Sequence, residues 1–200
     1  MNKKLGILLF ILFSIIILSN CETGSSEKNN TNKIAKTAKQ DYLNKGLEIA
    51  LATQSILGKN LLTAIQNVGT AGALEFCNTR AIPLTDSMAV VLNAQIKRVS
   101  DKNRNADNAA NQMEIVYINQ VKRALKKNGE VKPQLQEMNN KMVGYYPILT
   151  NNMCLKCHGN PSEDLDVKTY EVLKDRYPND KAVGYLANEL RGIWVISMEQ

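Results

Sequence analysis

The chain has one histidine among its 200 residues, and it directly follows two cysteines spaced by two residues: Cys154-Leu155-Lys156-Cys157-His158. Any fold must leave room beside this pentapeptide for whatever the three side chains hold. In C-x-x-C-H the thiols are spaced to add across the two vinyl groups of a haem, and the imidazole that follows is placed to reach the iron. Four cysteines and one histidine in 200 residues would give this string by chance in roughly 4 of 10,000 such sequences. Three other readings compete. A redox C-x-x-C belongs at a helix start in a βαβ unit, and nothing upstream has that pattern. A zinc site from Cys77, Cys154, Cys157 and His158 would need adjacent residues 157 and 158 both to ligate. A Cys154–Cys157 disulfide leaves His158 without a role.

The N-terminus places the chain outside the cytoplasm. Lys3 and Lys4 precede an apolar run over residues 5–18, which ends at Leu18-Ser19-Asn20-Cys21. The run is shorter than the ~20 residues of a spanning helix and has the layout of a secretory signal. A cysteine at its end resembles a lipoprotein lipobox, with Asn20 standing where Gly, Ala or Ser is usual. Residues 1–20 are therefore expected to be removed and Cys21 to carry a lipid, giving a membrane-anchored extracytoplasmic protein. Removal of the leader takes the formal charge from +6 to +4. That excess is too diffuse for a nucleic-acid groove.

Residues 21–32 contain no large apolar side chain and read as a flexible tether, leaving residues 33–200 as one domain. Leu43, Leu47, Leu51, Leu57, Leu61, Ile65 and Val68 recur at mostly helical steps, so residues 33–68 are expected to be helical, with bends at Gly46 and Gly58 and an end at Gly69. A further helical turn over 71–78 carries Cys77, and a short helix runs from Pro83 to Leu92. Residues 95–100 alternate like a strand, 101–111 form a polar loop, and 112–128 form a helix capped at Gly129. Residues 143–149 and 192–198 read as strands, and 169–176 as a helix. Helices first, then strands mixed with helices, argue for an α+β domain with a mainly antiparallel sheet.

If a haem is bound, its second axial position needs a ligand. There is no second histidine. Met88, Met113, Met138, Met142, Met153 and Met198 are available, most more simply as core side chains. Cys77 is the remaining cysteine, with no partner for a disulfide. It is either a buried small apolar residue or an axial thiolate. Several segments resemble a family of exported PAS-like c-haem domains, found alone and as the extracytoplasmic part of kinases and chemoreceptors. These are Ala73-Leu-Glu-Phe-Cys77 followed by Pro83; Arg98-Val-Ser100 with Lys102-Asn-Arg104-Asn105 and Asn108; Cys154-Leu-Lys-Cys-His-Gly159; and Tyr177-Pro-Asn-Asp-Lys181, Gly184-Tyr185 and Leu190-Arg-Gly192. Ala106 and Ala110 stand where the family often has prolines. The resemblance implies a PAS-like sheet with a long N-terminal helix and flanking helices, and His158 and Cys77 as the axial pair. Arg98 and Arg104 are candidates for the haem propionates by charge complementarity.

These residues point to a membrane-tethered mono-haem c-type protein that transfers electrons to a redox partner or responds to redox state. The alternative is a redox or gas (NO/CO) sensor signalling through a separate partner protein. A haem enzyme such as a peroxidase would need a labile sixth site and a distal acid–base group, which a chain with one histidine does not readily supply. The basic cluster Lys122-Arg123-Lys126-Lys127 is either a docking surface for an acidic partner or a solvated helix end.

Overall fold

The computed structural model describes residues 24–200, with side chains from residue 33 onward except residue 34. The expected leader, 1–20, and the expected lipidation site, Cys21, lie outside the described residues. The chain divides into two compact units, Met1–Lys36 and Thr37–Gln200. In the first, the backbone is helical from Gly24, so residues 24–32, expected to lack regular structure, are helical. They contain neither proline nor a second glycine, and adding residues to an existing helix costs far less than starting one. No helix among the described residues is long and apolar enough to cross a membrane.

Helix α1 (Gly24–Thr79) is followed by α2 (Ala81–Val91), β1 (Gln95–Val99), a 3-10 turn (Ala106–Asn108), α3 (Gln112–Lys126), β2 (Gln134–Met138), β3 (Lys141–Leu149), α4 (Asn152–His158), α5 (Val167–Arg176) and β4 (Leu190–Glu199). The strands form one sheet in the order β1-β4-β3-β2, every pair antiparallel. The expected α+β class, antiparallel sheet and long first helix are all present. β2 was not expected from its sequence. It is a short edge strand, joined to β3 through Asn139 and Asn140, both at positive φ (51° and 59°), the backbone of a two-residue type I′ hairpin turn. Pro147 sits in β3 beyond Tyr145, where the β2 ladder ends, so its missing N–H costs the sheet nothing on that side.

Alternation sorts the side chains onto two faces. On one, Tyr117, Ile118 and Val121 of α3 pack on Val143, Tyr145, Ile193 and Val195. On the other, Ile49, Ala50 and Leu57 of α1 pack on Ile96, Tyr146, Trp194, Ile196 and Met198, with α2 beside them. A third cluster joins Leu74 of α1 to Leu165, Leu173 and Cys157.

The face of α1 on the sheet runs through Gly46, Ile49, Ala50, Thr53 and Leu57, all buried. Of the expected stripe, Leu47, Leu51 and Val68 are exposed. The helix does not break at Gly46 or Gly58. It breaks at Gly69, where φ is 71° and ψ 177°, a conformation essentially reserved for glycine. Gly46 is instead a contact residue. A Cβ there would overlap the hydroxyl of Tyr146, which donates to the Leu43 carbonyl at 3.1 Å.

Gly46→Ala should therefore destabilise the ligand-free chain by about 1–3 kcal/mol through overpacking. Gly58→Ala, with nothing within 4 Å of the new methyl, should stabilise it by about 0.5–1 kcal/mol through helix propensity. Urea denaturation of the two variants reads the opposite signs.

Candidate functional site

The pentapeptide lies on α4. Asn151 caps the helix, its side-chain oxygen accepting from the N–H groups of Met153 (3.0 Å) and Cys154 (3.1 Å). One helical turn then puts Cys154 and Cys157 side by side, because residues three apart share a face. Cys77, Cys154 and Cys157 are all free thiols, so the structure contains no Cys154–Cys157 disulfide. Among the described residues no three His, Cys, Asp or Glu side chains group closely enough to hold a metal ion, so the four-residue zinc alternative has no assembled site. Burial pushes the Cys157 thiol up to about 11.

His158 ends α4 with its ring fixed. Nδ1 lies 2.7 Å from the Ala182 carbonyl oxygen. A carbonyl only accepts, so Nδ1 carries the proton and Nε2 keeps its lone pair. Burial holds the imidazole well below its usual pKa, and the guanidiniums of Arg191, Arg104 and Arg98 oppose its protonation further. The segment that supplies this carbonyl is strapped to α4 by backbone bonds from Tyr185 N to His158 O (2.9 Å) and from Gly184 N to Gly159 O (2.8 Å). The Tyr185 ring meets the imidazole edge-on, with centroids 6.3 Å apart.

Cys77 comes from a different element, the part of α1 beyond the Gly69 break. Burial raises its pKa, and the nearby Arg98 and Arg104 charges offset only part of that. Cys77 and His158 both line two adjoining cavities, of about 400 and 310 Å³. These volumes fall within the range of small-molecule and cofactor sites. Cys154 and Cys157 line the larger one, with Leu51, Leu61 and Ile65 of α1 as its apolar wall. Leu51 (54% exposed), Leu149 (40%) and Ile82 (37%) would stand in water if the cleft were left to solvent. Trp194 lies in the same wall, its indole N–H donating to Gln54 at 3.2 Å. Of the six candidate methionines only Met153 lines this cleft, and it stands on the same short helix as His158. Met142 and Met198 are buried.

Three guanidiniums face the cleft, in two different states. Arg104, expected to serve a propionate, is largely committed to protein. It pairs with Asp180 at 3.0 Å, both side chains being under 10% exposed, and it donates through Nη2 to the carbonyls of Cys157 (2.5 Å) and Ala182 (3.3 Å). Arg98 makes no hydrogen bond or ion pair among the described residues. It lies 5.8 Å from the Trp194 ring. Its side chain is exposed and lines both cavities, and desolvation beside their walls lowers its pKa. Arg191 lines both cavities too and was not singled out from the sequence. Its only sequence signal was its place in the Leu190-Arg-Gly192 segment. The basic residues Lys122, Arg123, Lys126 and Lys127 sit at the end of α3, on the sheet face away from the cleft, and Lys122 pairs with Asp101.

Fold and site together define an α+β domain built around a ligand cleft whose walls carry three thiols, one imidazole and three guanidiniums. The chain belongs to the Tll0287-like family, whose model matches residues 21–199. This bears out the resemblance drawn from the segments between Ala73 and Gly192. Among solved structures it is similar to the cyanobacterial heme-protein Tll0287, at 18% identity over 80% of this chain and 96% of that one, with a TM-score of 0.59. At that identity the likeness is one of fold. No curated protein matches the chain.

Arg104→Gln should strand the buried Asp180 carboxylate and release the Cys157 carbonyl. The expected cost is about 3–5 kcal/mol, read as a lowered urea midpoint of the ligand-free chain. Asp180→Asn should destabilise in the same direction, because the buried guanidinium then loses its counter-ion.

Proposed function

We propose that this chain is a mono-haem c-type protein, exported and held at a membrane by a lipid on Cys21, that passes single electrons or responds to redox state. One observation carries the reading. The sole histidine keeps Nε2 free beside a cleft lined by all three described cysteines. When bound, haem supplies a one-electron iron couple. Cys154 and Cys157 would hold the group covalently through thioethers. His158 would bind the iron through Nε2, and its Nδ1–H bond to Ala182 keeps the ring oriented and the nitrogen basic. Cys77, which lines the same cleft, would be the second iron ligand. Burial keeps its thiol protonated, so ligation would require that proton to leave, and the Arg98 and Arg104 charges favour the resulting anion. An anionic thiolate favours ferric over ferrous iron, which implies a low reduction potential.

If His158 and Cys77 both bound the iron, no open position would be left for substrate. This favours an electron carrier over a peroxidase, as does the absence of a second histidine to serve as distal acid–base group. The physiological partner is a redox or signalling protein rather than a nucleic acid. A sensor reading has one observation in its favour. The Gly69 break divides α1 and leaves Cys77 on the part beyond it. Loss of Cys77 on reduction, or its displacement by NO or CO, would then reach the long helix and, through it, a partner protein.

Co-expression with c-haem maturation should give a chain that retains haem on denaturing electrophoresis, whereas Cys154→Ala/Cys157→Ala should lose it. Ferric and ferrous spectra should be low-spin in the parent. Cys77→Ala should change them and raise the midpoint potential by on the order of 100 mV. Unchanged spectra would assign Cys77 to packing and move the search to Met153. CO or NO spectra of the reduced parent separate the two roles: no change supports the carrier, and loss of the thiolate signature supports the sensor.

A further inference from the structure

We propose that Arg98 and Arg191 form a two-guanidinium cradle for the paired carboxylates of the group held in the cleft, and that Arg104 is a clamp for the polypeptide. The proposal rests on the haem reading above and specifies which end of the group each charge meets.

The two residues are neighbours through the sheet. Arg98 on β1 pairs with Trp194 on β4. Arg191 lies three residues earlier on the same strand, its carbonyl accepting from Ser100 Oγ at 2.8 Å. Both line both cavities. The Nε of Arg191 is buried with no hydrogen-bond partner. The one hydrogen bond its side chain makes among the described residues is from Nη1 to the Lys102 carbonyl, at 3.3 Å. Arg98 has no polar partner among the described residues.

The charges around them do not balance. Asp180 is committed to Arg104. Lys97 pairs with Glu114. Asp86 and Asp107, at the mouth of the smaller cavity, are exposed and bond neither arginine. Arg98, exposed to the cleft, and Arg191, half-buried with its Nε enclosed, therefore both lack a counter-ion, and a ligand carrying negative charge would supply one. A guanidinium matches a carboxylate with two parallel N–H bonds, so two of them match a dicarboxylate. The three thiols and the imidazole line the same space, so the dianion and the iron-binding residues would serve one molecule.

The test uses the full chain carrying Cys154→Ala/Cys157→Ala, so that binding is reversible. Haemin and haemin dimethyl ester, whose carboxylates are masked, are titrated by Soret absorbance. The expected result is that the diacid binds at least about tenfold more tightly than the diester. Arg98→Gln and Arg191→Gln should each reduce that preference by about tenfold while leaving diester affinity unchanged, and Arg191→Lys should restore part of it. The Arg98 side chain makes no hydrogen bond or ion pair among the described residues, so Arg98→Gln carries the test alone if Arg191→Gln does not fold. Equal binding of diacid and diester, or a preference that survives both substitutions, overturns the cradle and leaves the haem reading intact. Binding of neither compound removes the haem reading and the cradle with it.

Discussion

The site depends on one guanidinium. Arg104 reaches from the loop after β1 to the Asp180 carboxylate, 76 residues away, and to the carbonyl of Cys157, 53 residues away. The loop has no large apolar side chain to anchor it. It is held by polar bonds instead: Ser100 and Ala109 form a bridge, Asn105 caps the 3-10 turn, and Asn103 accepts from Lys181 N. A buried ion pair of this kind contributes less through net energy than through the penalty of leaving either charge alone. Its effect is to fix α4 and the strap at residues 182–185 in a single arrangement. The imidazole orientation depends on that strap.

Electrostatics around the cleft follow from burial. His158 stays neutral because its proton would enter a desolvated space already facing three guanidiniums. Burial brings Arg191 down to about 10, still well above neutrality, so it remains charged. Cys77 is pulled two ways, and desolvation wins while the thiol is free. A neutral imidazole with a free nitrogen, protonated thiols and uncompensated cations suit an electron-pair acceptor that also carries negative charge at its edge.

The sequence made the chemistry more legible than the packing. C-x-x-C-H could be read directly because its spacing is a covalent requirement independent of fold. Strands β1, β3 and β4 and helices α2, α3 and α5 were visible from alternation, periodicity and breaks. β2 was missed because an edge strand need not bury either face, although the Asn139-Asn140 pair marked its turn. The Asp180 and Cys157 partners of Arg104 were not legible because an arginine's partners depend on which distant segment folds against it. Arg191 gave no signal beyond its place in Leu190-Arg-Gly192, since a charged residue in a strand is ordinary until the structure shows its Nε enclosed and unpaired. Weak segments scattered from Ala73 to Gly192 made sense only once the fold brought Cys77, Arg98, Arg104, His158, Tyr177 and Arg191 to one cleft.

Helix α1 shows why its pattern was hard to read. It is apolar on two sides. Ile49, Ala50 and Leu57 are buried against the sheet, while Leu51, Leu61 and Ile65 face the cleft. A helix apolar on two faces is normally buried on both, yet Leu51 is more than half exposed. The second stripe therefore makes sense only with the cleft filled. A ligand that binds the folded chain and not the unfolded one stabilises the fold by mass action, and a ligand joined covalently through Cys154 and Cys157 could not diffuse away. Cleft and core would then be one apolar unit, with part of its volume supplied from outside the polypeptide. The Gly69 break fits the same logic. It lets the chain turn after the apolar wall and bring Cys77 to the cleft that Leu51, Leu61 and Ile65 flank.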